Sequence, residues 1–227
     1  MYKEYFDYYL ELERDFFTTE PYVTIDEDNF NTFSVQYNRI YQSICSEIDC
    51  LLKEICRGIV PENNAMRLSA YCAIIQKKFS FFNAETVCFN KSRIVLQPWI
   101  DWSEGEAPKW WTCYNKVKHH RLEKDSISEK INYKNANLEN VLNALAALYI
   151  VEQYYLYNYD YSKEIKTTPE LELNPHILED KLKQKKANTL EIYKSRKCYM
   201  KRWQEAHCYM GFLGQEFFEL DNLYKIM

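Results

Sequence analysis

Glycine is scarce in this chain, 4 in 227 residues, and proline supplies only 6 more turn-formers. A fold of many short strands needs such residues in quantity, so their shortage argues against sandwiches and barrels and for long helices. No stretch approaches the ~20 apolar residues of a membrane span. The 8 cysteines contain no Cys-x-x-Cys pair, which argues against a zinc knuckle. Gly-rich phosphate loops, Gly-x-Ser-x-Gly elbows and His-Glu-x-x-His are also missing, so no metal and no cofactor is implied. The opening Met-Tyr-Lys-Glu-Tyr lacks the apolar core of a signal peptide. These absences predict reduced, mostly buried thiols, a cytoplasmic location and no membrane partner.

Aromatic residues are plentiful: 20 tyrosines and 12 phenylalanines in a composition 47% hydrophobic. That is enough apolar material for a real core, and large rings fill helical cores well. The net charge of −4 excludes a globally basic nucleic-acid binder, but charge is unevenly spread. Residues 1–31 set Lys3 and Arg14 against Glu4, Asp7, Glu11, Glu13, Asp15, Glu20, Asp26, Glu27 and Asp28. Over 181–202 nine lysines and arginines face the lone Glu191. The two segments are complementary, within one chain or between two, or the basic one suits a phosphate backbone; the plainer reading is two solvated faces.

Periodicity organises the chain. Residues 2–18 read as a short helix on Tyr5, Tyr9, Leu12 and Phe16. The strongest helix runs from about 31 to 57 on Phe33, Tyr37, Ile40, Ile44, Ile48, Leu51 and Ile55, with Gly58 placed to stop it. A third helix is expected at 63–79, then a β-hairpin formed by 86–89 and 93–96. Pro108 opens a helix at 108–121, and Asn135 or Asn137 caps another that ends near Tyr157. Residues 160–176 read as a linker, 177–192 as a charged helix, and 197–220 as helix or short strands. The fold class is all-α: a bundle of four to five helices at 1–158 with a hairpin insertion near 85–97. Residues 159–227 form an extension, packed on the bundle or on a partner chain.

Chemistry concentrates in Trp110-Trp111-Thr112-Cys113-Tyr114-Asn115-Lys116-Val117-Lys118-His119-His120-Arg121. At helical spacing Asn115 and His119 share a face, with Tyr114, Lys118 and Arg121 on the neighbouring stripe. An amide, an imidazole and several cations so close suit phosphate binding and proton transfer. The core of this stretch, Tyr114 to His119, resembles the signature helix of HEPN-type domains, small helical bundles common in prokaryotic defence and toxin–antitoxin systems. The resemblance covers roughly 31–158, and only 110–121 is specific to it.

The resemblance implies an RNA-directed role, as a metal-independent endoribonuclease or as an RNA binder, in a homodimer whose two motif helices form one site. A cognate partner protein is implied as well. His119 and Asn115 match the catalytic positions. Lys118, Arg121, Tyr114 and Lys116 would meet the substrate, and Glu47 and Asp49 on the long helix would orient the imidazole. One position departs: Tyr114 stands where the family has arginine, and tyrosine donates a hydrogen bond without bringing a cation. The same residues admit a non-catalytic dimerisation or interaction module, in which His119 is satisfied by Glu47 or Asp49. Trp110 and Trp111 then read as packing anchors rather than base-stacking platforms. His176, His207 and Cys208 have no partner suggesting a metal site, and the pairs Glu11/Glu13 and Glu170/Glu172 read as solvated faces.

Overall fold

The computed structural model describes residues 2–62, 67–80, 82–89, 92–103, 105–166 and 210–212. Helix α1 spans Tyr2–Phe17, α2 Val35–Ile59, α3 Leu68–Lys78, α4 Lys109–His119 and α5 Leu138–Lys166. Strands β1 (Val87–Phe89) and β2 (Ile94–Leu96) form the expected antiparallel hairpin, Val87 opposite Leu96. A third strand, β3 (Met210–Phe212), adds to the other edge of β1, giving the order β2-β1-β3. The described residues are thus a mostly helical bundle with a small sheet.

Helix α2 is the spine, and its stripe packs as its spacing requires. Ile40, Ile44, Ile48, Leu51 and Ile55 are all buried, each contributing roughly 1.5–3 kcal/mol of transfer free energy. Ser34 caps it, its hydroxyl accepting from the Tyr37 amide at 3.0 Å. Two expectations fail at its ends. Phe33 lies outside the helix, bridging to the Asn137 backbone, because the Ser34 cap starts the helix after it. Gly58 lies inside the helix, which ends at Ile59; Pro61 is what prevents continuation, and no described glycine adopts a positive φ.

Helix α5 runs beside α2 and is buried from Leu138 to Tyr155 apart from Glu139 and Asn143. Of its two candidate caps, Asn137 does the work: its side chain accepts from the Asn140 amide at 3.0 Å. The helix also passes the expected stop near Tyr157 and enters the expected linker, reaching Lys166. Nothing between Tyr157 and Lys166 is a breaker; the next proline is Pro169. The other expectations for 167–209 and 213–227, His176, His207, Cys208 and the basic segment included, lie outside the described residues.

Helix α1 packs antiparallel on α5, with Tyr5 against Tyr155 at 5.2 Å and Tyr9 against Tyr149 at 6.0 Å. Cys45, Cys56 and Cys72 are buried free thiols, Cys113 is half-buried and Cys50 is exposed. Among the described residues no helix is long and apolar enough to cross a membrane.

Candidate functional site

Helix α4 is held by aromatic packing at its first turns. Trp110 and Trp111 are buried, which settles them as packing residues. The Trp110 indole donates to the Pro98 carbonyl at 2.7 Å, and Tyr41 on α2 donates its hydroxyl to the Trp110 carbonyl. Trp110 meets Trp99 edge-on at 5.2 Å, and Trp111 packs on Tyr114 at 5.2 Å. Tyr114 in turn packs on Tyr41 at 5.8 Å. Its ring belongs to the core, and burial, then Cys45 and Asp49, push its hydroxyl up to about 12. Tyr114 therefore serves as the floor of the site, with the Lys118 ammonium 5.5 Å above its ring.

The cations of the motif are sorted by the loop that follows. Lys116 is paired with Asp125, and His120 with Glu123 at 3.1 Å. Asp125 also accepts from the amides of Ile127 and Ser128 at 3.1 and 2.8 Å. Lys116 and then these amides hold its carboxyl far below the usual carboxylate range, while the bond to Asp125 raises the Lys116 ammonium. The loop closes on itself: Glu129 donates to the Asp125 carbonyl, and Lys130 accepts from the Asp125 amide, both at 2.9 Å. Glu129 adopts φ 54°, a left-handed conformation uncommon for glutamate, at the return of this turn. The loop is thereby stapled to α4.

Asn115, Lys118, His119 and Arg121 are the residues left over. Lys118, His119 and Arg121 are exposed and Asn115 is half-buried. Among the described residues none has a hydrogen-bonded or ion-paired side chain. The structure thus brings Asn115, Lys118 and His119 together on α4, and sets Lys116 apart as a structural group. Arg121 lies two residues beyond the helix rather than on its stripe, because α4 ends at His119. Its carbonyl accepts from the Tyr133 amide at 2.9 Å, which fixes its backbone beside the site.

The expected orienting carboxylates are engaged elsewhere or stand apart. Asp49 accepts from Lys53 at 2.5 Å and from the Tyr71 hydroxyl at 3.2 Å. Glu47 is half-buried, its carboxyl raised by burial to about 6. Neither bonds to His119 among the described residues, so the imidazole of the site is free rather than satisfied. Glu123 and Asp125, which do the sorting, are legible in the sequence only as an Asp-x-x-Ser turn signal.

The staple predicts a local effect. In Asp125→Asn, amide exchange over 121–131 accelerates while the global unfolding midpoint moves little; unchanged exchange would show that the turn holds without the carboxylate. Because Asp125 ionises at lower pH when folded, its contribution is present above the ordinary carboxylate value of 3.8 and is lost as pH falls below it.

No family model, curated protein or solved structure matches this chain.

Proposed function

We propose that the chain acts on RNA, with Asn115, Lys118 and Arg121 as the phosphate-holding group and His119 as the residue that moves a proton. The observation that carries this reading is the sorting of charges. The loop acids engage Lys116 and His120 and, among the described residues, leave the other four side chains without a hydrogen bond or ion pair at the exposed end of α4. Free cations beside a half-buried amide suit a phosphodiester.

The chemistry follows the HEPN-type scheme. A base removes the proton of a ribose 2′-OH and the oxygen attacks the adjacent phosphorus. An acid then protonates the departing 5′-oxygen, leaving a 2′,3′-cyclic phosphate. An imidazole suits either role near neutrality, and His119 of a second copy supplies the complementary one. Lys118 and Arg121 take over the charge stabilisation that Tyr114 does not provide, since its ring is committed to the core.

The test uses single-stranded RNA in EDTA. The logarithmic salt slope of binding shrinks by roughly 0.7 for every phosphate that the protein no longer neutralises, so Lys118→Gln with Arg121→Gln lowers it measurably. His119→Ala leaves binding in place and abolishes cleavage. Failure of the wild type to bind any RNA at low salt would sink the reading; equal cleavage by the His119 variant would remove its catalytic part.

A further inference from the structure

A single strand of RNA offers base faces as well as phosphates, and a site that holds only phosphates leaves those faces in water. Trp110 and Trp111 cannot receive them, since both are buried. The Phe33 ring does lie open beside the site. It is 41% exposed, stands outside α2 and meets the half-buried Tyr133 edge-on at 5.9 Å.

One short segment carries both this ring and the margin of the site. Tyr133 belongs to a turn of 3-10 helix, Asn132–Asn135, that leads into α5. The Tyr133 amide donates to the Arg121 carbonyl at 2.9 Å, and the Asn132 side chain donates to the His120 carbonyl at 3.0 Å. Further along, Phe33 bridges to Asn137, and the Leu138 amide donates to the Thr32 carbonyl at 2.9 Å. Phe33 and Arg121 are therefore fixed to the same segment, with Tyr133 touching both. Neighbouring nucleotides of a single strand can make such a step.

Charge at this margin suits the same ligand. The Lys134 ammonium lies 5.5 Å from the Phe33 ring centroid, and Lys134 is exposed with no carboxylate partner among the described residues. Segments 30–34, 118–123 and 131–139 meet here, and their acids face other cations: Glu123 bonds to His120 at 3.1 Å, and Glu139 lies 3.8 Å from Lys109. Upstream of Phe33 the turn Asp26-Glu27-Asp28 is exposed and anionic, so phosphates are directed toward Lys134 and Arg121 instead. A cation–π contact at an exposed site is weaker than base stacking, so a base can take the ring face from Lys134 and leave the ammonium for the adjoining phosphate.

On the RNA reading of the α4 site, we infer that Phe33 is a stacking platform for an unpaired base, and that the substrate held there is single-stranded. In a duplex the base faces are closed by their neighbours, so a duplex offers phosphates to the cations but nothing to the ring. Stacking reads no hydrogen-bond pattern, so the preference extends to unpaired bases of any type.

Two probes with equal phosphates separate base from backbone: a short single-stranded oligoribonucleotide and an abasic chain of the same length. Wild type is expected to bind the first about tenfold more tightly than the second, and more tightly than its own duplex. Phe33→Leu keeps an apolar side chain at a position held by its backbone, and removes this discrimination while the salt slope stays unchanged. Phe33→Trp keeps the discrimination and adds fluorescence that the oligoribonucleotide quenches and the abasic chain does not. A wild type that binds both probes alike, a Phe33→Leu protein that still discriminates, or an added tryptophan that no base quenches overturns the platform and leaves the RNA reading standing. Equal binding of the duplex overturns the single-strand preference. Binding of no probe at low salt removes the RNA reading, and the platform with it.

Discussion

Glu152→Gln raises stability at pH 8 to 9 and flattens its dependence on pH. Glu152 on α5 is 0% exposed, and among the described residues neither carboxylate oxygen has a hydrogen-bond partner. Among the described residues, the titratable groups facing it are Tyr5 and Tyr9 from α1 and Glu47 from α2, and none of these carries a positive charge. Burial first, and then Glu47, push its carboxyl up to about 8 from an ordinary value of 4.5. A raised folded value means the folded state holds the proton more tightly than the unfolded chain. Stability is therefore full below pH 4.5 and is lost as pH rises through about 8. The loss amounts to on the order of 4 kcal/mol once the carboxylate is forced to ionise in place. That is a large part of the ~5–15 kcal/mol that keeps a domain folded.

Glu13 on α1 acts in the same direction. Against the solvated face expected of Glu11/Glu13, Glu13 is buried and held at about 7, and it accepts a hydrogen bond from Tyr9 of the same helix at 3.2 Å. Among the described residues, two acids without a counter-cation thus lie under α1, so alkaline conditions strain the α1–α5 contact before other parts of the bundle. Glutamine keeps the volume of Glu152 but cannot ionise. The variant's urea midpoint therefore crosses that of the wild type, equal or slightly lower at pH 5 and higher at pH 9. Parallel curves for the two proteins would mean that Glu152 finds a partner or stays neutral across the range. Glu152→Met, which removes the polar atoms altogether, should be the more stable of the two variants at every pH.

Legibility in the sequence differs from element to element. Helix α2 is legible, since seven apolar residues in steps of three and four leave little choice of structure. Its N-terminus is not, because Phe33 fits the stripe in sequence but bridges to Asn137 in space. Gly58 illustrates the opposite error: residue type suggests a helix stop, while the conformation that makes glycine a stop is not adopted. The end of α5 carries no signal, because Tyr157 to Lys166 contains neither a breaker nor a stripe regular enough to extend.

The site is legible as a cluster but not as a sorted one. Which cation stays free depends on Glu123 and Asp125 folding back on α4, a tertiary event that spacing along one helix cannot express. The role of Tyr114 is equally hidden. A tyrosine at an expected cation position reads as a loss until its ring is seen packed between Tyr41 and Trp111, below Lys118. The uncompensated Glu152 is invisible for a related reason: a single glutamate in a long helix gives no sign that its side chain is buried.

Trp99→Ala is the substitution expected to cost the most in the core, and its effect should reach the site. Trp99 is fully buried where three parts of the fold meet. Its ring lies 5.4 Å from Phe82, 4.7 Å from Trp102 and 5.2 Å from Trp110, and its indole donates to the Ala147 carbonyl of α5 at 3.3 Å. Truncation removes a large aromatic from close-packed surroundings that cannot collapse fully, a change worth about 3–5 kcal/mol. The loss should appear as a lower urea midpoint with an unchanged slope if the native fold persists. Because Trp110 rests on Trp99 and opens α4, amide exchange along α4 should rise more than exchange in α2, loosening the helix that presents Asn115, Lys118 and His119. Trp99→Phe keeps the ring but not the indole donor, and should recover most of the midpoint. A Trp99→Ala protein that loses less than about 1.5 kcal/mol would place Trp99 at a yielding edge of the core rather than at its hub, since costs this small fall below those of buried aromatic truncation. Equal protection of α4 and α2 in that variant would break the proposed mechanical link between the tryptophan cluster and the site.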